Sequence, residues 1–175
     1  MACIGIDFGV ATCMAAVHDS YGPRVIKDMR GNEVIDAYVG IDPETQNPCV
    51  GEKAKSIFKS TPGLVAEQIG LWMGEPVDIE FASKEVRYQK LSTEEIAAQL
   101  FRHLKRFADA QLEVEVSSCA VTVPVHFQDY ARRSTQWAGE IAGMSVERII
   151  SGPTAAALAY EHDESVEGAY VMAYD

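Results

Sequence analysis

The β-branched pair Ile149-Ile150 runs into Ser151-Gly152-Pro153 and passes at once into Thr154-Ala-Ala-Ala-Leu-Ala-Tyr160. No other segment constrains the fold as strongly, because it sets a strand against a helix with almost no loop between them. Pro153 fixes a helical φ at a first-turn position, where its missing N–H leaves no bond unmade. Ala155 to Ala157 and Ala159 carry so little side chain that the helix is expected to pack backbone-close against its neighbours.

Upstream of that junction the same alternation holds. Ser92-Thr-Glu-Glu95 forms a capping box, in which serine hydroxyl and glutamate satisfy each other's orphan backbone donors. Ile96, Leu100, Leu104 and Phe107 or Ala108 then recur at helical spacing, and Arg102, His103, Lys105 and Arg106 make the opposite, solvated face. Cys119 to Val123 is a strand stopped by Pro124. Gln128 or Asp129 caps a helix that reaches Ala142, with Gly143 at its C-terminal side. Val146 to Ile150 is the next strand, and Ala169 to Asp175 the last. Helices alternating with strands imply a sheet with parallel members.

The N-terminal part adds antiparallel pairing. Cys3 to Asp7 and Cys13 to Val17 are apolar strands joined by the tight turn Phe8-Gly-Val-Ala-Thr12, followed by strands at Arg24 to Lys27 and Val34 to Ile41. The expected architecture is therefore α/β, with a mixed sheet and covering helices. Residues 39–91 interrupt it with a loop at 42–48, a short helix over Glu52 to Lys59 and the breaker Thr61-Pro-Gly63. Strand-like pieces follow at Val77 to Phe81 and Val86 to Tyr88. They are expected to form a small α+β subdomain inserted into a core made of 1–38 and 92–175.

The chain's 175 residues suit one domain or one lobe of a larger one, and its net charge of −11 argues against nucleic acid or an anionic membrane as main partner. No apolar run approaches the ~20 residues of a bilayer span. Cys3, Cys13, Cys49 and Cys119 are scattered, with no Cys-x-x-Cys spacing, as expected of buried free thiols in a reducing, cytoplasmic setting.

Five segments carry a resemblance: Ile4-Gly-Ile-Asp7-Phe-Gly9-Val-Ala-Thr-Cys13, Cys49-Val-Gly-Glu-Lys-Ala-Lys55, Val121-Thr-Val-Pro-Val-His-Phe-Gln-Asp129, Ala138-Gly-Glu-Ile-Ala-Gly-Met144 and Pro153 to Tyr160. Together they resemble the first lobe of the nucleotide-binding domain of the seventy-kilodalton heat-shock chaperones, a branch of the actin-like (ribonuclease H-like) ATPase fold, which implies a mixed five-stranded sheet with covering helices and a small inserted α+β subdomain. The resemblance implies a chaperone lobe that binds ATP or ADP with Mg²⁺. It places the phosphates against Gly9, Val10, Ala11 and Thr12, with Asp7 and Asp175 facing the metal through water. Physically, Gly9 lets backbone N–H groups approach phosphate oxygens. Asp175 ends the apolar run Tyr170 to Tyr174, where the family's second phosphate loop begins. The chain therefore reads as a piece of a longer protein whose second lobe, adenosine site and substrate-binding domain lie elsewhere, with client and co-chaperone partners reached through those regions.

The departures bear on catalysis. Val10 and Ala11 stand where the family has threonines. The family's lysine, which supports water attack on the γ-phosphate, falls on Gly70 if the alignment follows Trp72-Met73-Gly74, or on Ala66 if it follows Ile69-Gly70. The glutamate before the helix's proline is Gly152. Phosphoanhydride hydrolysis depends on positioning and charge, and losing one such group typically costs ~10²–10³ in rate. The sequence thus implies nucleotide binding as a conformational switch with slow or no hydrolysis. Two alternatives stand beside it: an interaction module that has lost nucleotide, or an ATPase whose other lobe supplies the catalytic groups.

Overall fold

The computed structural model describes residues 2–81, 90–163 and 171–173. The N-terminal apolar run forms β1 (Ala2–Phe8), in which Ile4, Ile6 and Phe8 are buried on one face and Cys3, Gly5 and Asp7 lie exposed on the other. β2 (Thr12–Asp19) and β3 (Gly22–Val25) continue it as an antiparallel meander. The expected single strand from Val34 to Ile41 is two strands in two sheets. β4 (Ile35–Asp36) pairs with the start of β2, and β5 (Tyr38–Ile41) opens a second sheet with β6 (Pro48–Val50) and β7 (Val65–Glu67). The pivot is Ala37, which is buried and donates its N–H to the Ala11 carbonyl at 2.9 Å.

α1 (Glu52–Ser60) packs on β5, and β8 (Asp78–Glu80) pairs antiparallel with β9 (Lys90–Ser92). Then come α2 (Thr93–Leu112), β10 (Val116–Val123), α3 (Asp129–Ile141), β11 (Ser145–Ser151) and α4 (Gly152–Asp163). The main sheet runs β11-β10-β1-β2-β3, the mixed five-stranded sheet expected, with β4 added as a short sixth strand beside β2. β1 lies parallel to β10, and β10 parallel to β11.

α2 follows from its capping box: Glu95 N–H donates to Ser92 Oγ at 3.2 Å, and Ser92 N–H donates to the Glu95 carboxylate at 2.9 Å. Its buried stripe is Ile96, Leu100, Phe101, Leu104 and Ala108, with Phe107 only partly covered. Phe101 meets Phe8 edge-on, ring centroids 5.2 Å apart. Val39, Ile41, Leu64, Ala66 and Ile69 from the second sheet and its flanks belong to the same apolar cluster as β1 and β10.

α4 reaches the opposite side of the sheet, where the ring of His162 lies 5.8 Å from that of His18. The close packing expected of its alanines is not found: Ala156 and Ala159 are exposed, and among the described residues none of α4 is buried. Val171 to Ala173 form no strand. The rest of the expected last strand, and the strand-like piece at 86–88, lie outside the described residues. Cys13 and Cys119 are buried free thiols, as expected, whereas Cys49 is half-buried and Cys3 exposed.

The loop between β5 and β6 is held by Asp42, a buried carboxylate that accepts the Glu44 N–H at 2.8 Å and the Thr45 N–H at 3.2 Å and pairs with Lys53. The Lys53 ammonium first, and then the Glu44 N–H, hold it well below the usual carboxylate range. A carboxyl with a depressed folded pKa stabilises above its unfolded value of about 3.9 and loses that contribution as pH falls through the folded value. Asp42→Asn should therefore lower the melting temperature at neutral pH and leave a smaller further loss on acidification than the native chain shows. Equal acid sensitivity of the two would contradict the assignment. Ser92→Ala should destabilise the fold by about 1 kcal/mol in urea titrations through loss of the cap.

Candidate functional site

The ends of β1, β10 and β11 and the start of β2 meet at one edge of the main sheet. In register, Asp7 lies beside Thr122, and Thr122 beside Ile150; Phe8 lies opposite Cys13. Ligands of open sheets with parallel strands collect in the crevice beyond the carboxyl ends of those strands. Alternation puts Asp7 on the face turned away from α2, where it is exposed and its carboxylate accepts a hydrogen bond from the Thr122 hydroxyl. Thr122 is the residue that reading the sequence for motifs passes over. Its signal is the alternation Val121-Thr122-Val123, which turns one hydroxyl away from a buried pair.

The turn after β1 is closed by Gly9, whose N–H donates to the Thr12 carbonyl at 3.0 Å. A Cβ on Gly9 would sit 2.7 Å from that carbonyl oxygen, so only glycine permits the approach. Ala11 is tied through its carbonyl to Ala37. Among the described residues, the N–H groups of Val10 and Ala11 donate to no protein acceptor. Val10 is half-buried, Ala11 and Thr12 are exposed, and Thr12 carries the only hydroxyl of the turn. Two free amides beside a single exposed carboxylate form a donor set that suits a phosphate oxygen with a hydrated cation next to it.

Of the two positions open to the family's lysine, only one faces this turn. A Cβ on Gly70 would lie 3.6 Å from Val10 Cα and 3.7 Å from the Gly9 carbonyl oxygen. Ala66 instead sits buried in β7, paired with Val39 in the second sheet. Gly152 begins α4 directly after Ser151, which pairs with Val123 at the same sheet edge. A Cβ there would meet open space, and Ser151 caps the helix, accepting the Thr154 N–H at 3.3 Å with the two hydroxyls 2.6 Å apart. Asp175, the expected second metal-facing carboxylate, lies outside the described residues. No group of three or more metal-ligating side chains occurs among the described residues.

Other polar groups near this edge have structural roles. Burial, and then the charge of Asp7, push the Cys13 thiol up to about 12, so it stays protonated and unreactive. Arg132 does not face solvent freely: its guanidinium donates to the Phe127 carbonyl at 3.1 Å and the Ile149 carbonyl at 3.5 Å, tying α3 to β11. His126 is exposed on the loop before α3. A concavity of about 860 Å³ lies elsewhere, between α1 and the C-terminal half of α2, and none of Asp7, Gly9 to Thr12 or Thr122 lines it.

The description "Hsp70 protein" belongs to the family whose sequence pattern this chain matches over residues 3–175. With a mixed sheet, its covering helices and a glycine turn at the sheet edge, the chain belongs to the Hsp70 protein family, as a lobe of that family's actin-like, nucleotide-binding chaperone domain.

Proposed function

We propose that the chain holds the phosphates of ATP or ADP at the Gly9–Thr12 turn and uses the nucleotide as a conformational ligand, with slow or no hydrolysis. The observation that carries this reading is Gly70: it lies against the turn and offers neither charge nor hydrogen-bond donor beyond its backbone. Binding and turnover then separate. Val10 and Ala11 supply amide N–H groups to phosphate oxygens, Thr12 adds a hydroxyl, and Asp7, oriented by Thr122, accepts hydrogen bonds from the water shell of Mg²⁺. Bound Mg²⁺ supplies neutralisation of phosphate charge. With glycine at 70 and 152, no side chain from those positions orients or deprotonates an attacking water. A ligand that binds two conformations unequally shifts their populations without being consumed.

The division into a core of 1–38 and 92–175 with 39–91 inserted fits such a switch, since the inserted part carries Gly70 to the turn. A second metal-facing role for Asp175 belongs to the same reading, as do client and co-chaperone partners and a cytoplasmic setting. The replacement of two hydroxyls by Val10 and Ala11 favours, as a second reading, an interaction module without nucleotide.

Calorimetric titration of MgATP and MgADP into the natural full-length protein, followed by a phosphate-release assay on the same sample, separates these readings. Binding of both with release at least ~10²-fold slower than in a lysine-bearing relative is expected. Release at that relative's rate would overturn the role given to Gly70, and no binding of either would leave the interaction module. Gly9→Ala should weaken nucleotide binding without unfolding the protein. Gly70→Lys should raise phosphate release by on the order of 10²-fold, its Cβ being accommodated at ordinary contact distance.

A further inference from the structure

The solvent side of α3 carries an apolar stripe that the nucleotide site does not use. Tyr130, Trp137 and Ile141 follow one another at helical spacing and are 51%, 50% and 40% exposed. Two adjoining hollows of about 610 Å³ and about 320 Å³ flank Trp137, which lines both. Val77, from the turn before β8, forms part of the wall.

Tyr130 is held in place. Its ring lies so close over Gly74 that a Cβ there would come within 2.3 Å of it and 2.8 Å of the Ala131 nitrogen. Gly74 also has φ +84°, a conformation that glycine adopts freely. The Tyr130 ring is therefore seated before any partner arrives, which lowers the entropic cost of binding against it.

The charge around it is one-sided. Glu75, Asp78, Glu94, Asp129 and Glu140 line the two hollows, against Arg133 alone among the described lining residues. Lys90 pairs with Asp78 at 3.2 Å, while Glu94 and Glu140 accept hydrogen bonds from the neutral Ser134 and Gln136, so four carboxylates (Glu75, Glu94, Asp129 and Glu140) remain with no cation among the described residues. An anionic membrane or a nucleic acid is repelled by such a surface, as it is by the chain's net charge of −11. A guanidinium or ammonium is attracted twice, by the carboxylates and by the ring faces of Trp137 and Tyr130.

We propose that this face of α3 docks a basic, apolar segment of a partner protein, with an arginine or lysine seated against Trp137 among the carboxylates and an aliphatic neighbour on Tyr130 and Val77. Tryptophan, tyrosine and arginine are enriched among the few residues that dominate interface energies. The proposal is independent of whether the Gly9 turn binds nucleotide.

Calorimetry with a short amphipathic peptide of leucine and arginine, and with its leucine–glutamate counterpart, tests it. The arginine peptide should bind and the glutamate peptide should not. Trp137→Ala and Glu140→Lys should each weaken the arginine peptide by about tenfold or more, while Glu161→Lys, the same charge change on α4, should leave it within about twofold. Equal weakening by both lysine substitutions, or full affinity of Trp137→Ala, would mean general attraction to an acidic protein and would overturn the site. Absence of arginine-peptide binding at low salt would overturn it as well. Unchanged circular dichroism of each variant excludes misfolding as the cause of any loss.

Discussion

The packing of β1 against α2 is the constraint on which everything else rests. Ile4, Ile6 and Phe8 point inward, Phe8 meets Phe101, and the strand is paired on both sides, parallel to β10 and antiparallel to β2. Strand periodicity then leaves Asp7 no choice of face: a one-residue slip would bury the carboxylate and expose two isoleucines and a phenylalanine. Burying each such side chain contributes roughly 1.5–3 kcal/mol, and an unpaired buried carboxylate would cost several more. Asp7 is thus positioned by apolar residues on either side of it, and the turn that begins at Phe8 inherits its place from the same register.

Much of this was legible in the chain itself. The capping box at Ser92, the helical stripe after it and the strand–helix junction at Gly152 are local signals, and the structure contains all three. The first hairpin was legible because its turn glycine is flanked by apolar runs. Two things were not. Val34 to Ile41 looks like one strand, since period-two patterning is blind to which sheet a residue joins; the change at Ala37 is a tertiary event. The alanines of α4 suggest close packing, yet helix composition cannot say what lies on the helix's outer side, and among the described residues nothing buries it.

The site divides in the same way. Gly9 is readable as a turn residue, and Asp7 as the strand's last polar group before it. The orientation of Asp7 is not, because Thr122 is distant in sequence and becomes its partner only through parallel pairing of β1 with β10. Nor could sequence alone decide between Gly70 and Ala66. That choice required knowing that β7 carries residue 66 into a sheet interior, while the short 3₁₀ turn Ile69–Trp72 brings residue 70 against the loop.

The glycines of this lobe fall into two physical groups, and the difference bears on what the chain does. At Gly9 a Cβ would strike a backbone oxygen, and at Gly74 it would strike a ring and a backbone nitrogen, so sterics demand glycine. At Gly70 a Cβ would find ordinary contact, at Gly152 open space, and neither residue has the positive φ that excludes other side chains. The fold therefore does not require glycine at the two positions where the resemblance places charged catalytic groups. What is missing there is chemistry rather than room. Groups that stabilise a transition state more than a ground state can be lost with turnover suppressed and binding retained, whereas the turn after β1 keeps the one glycine that its backbone cannot do without.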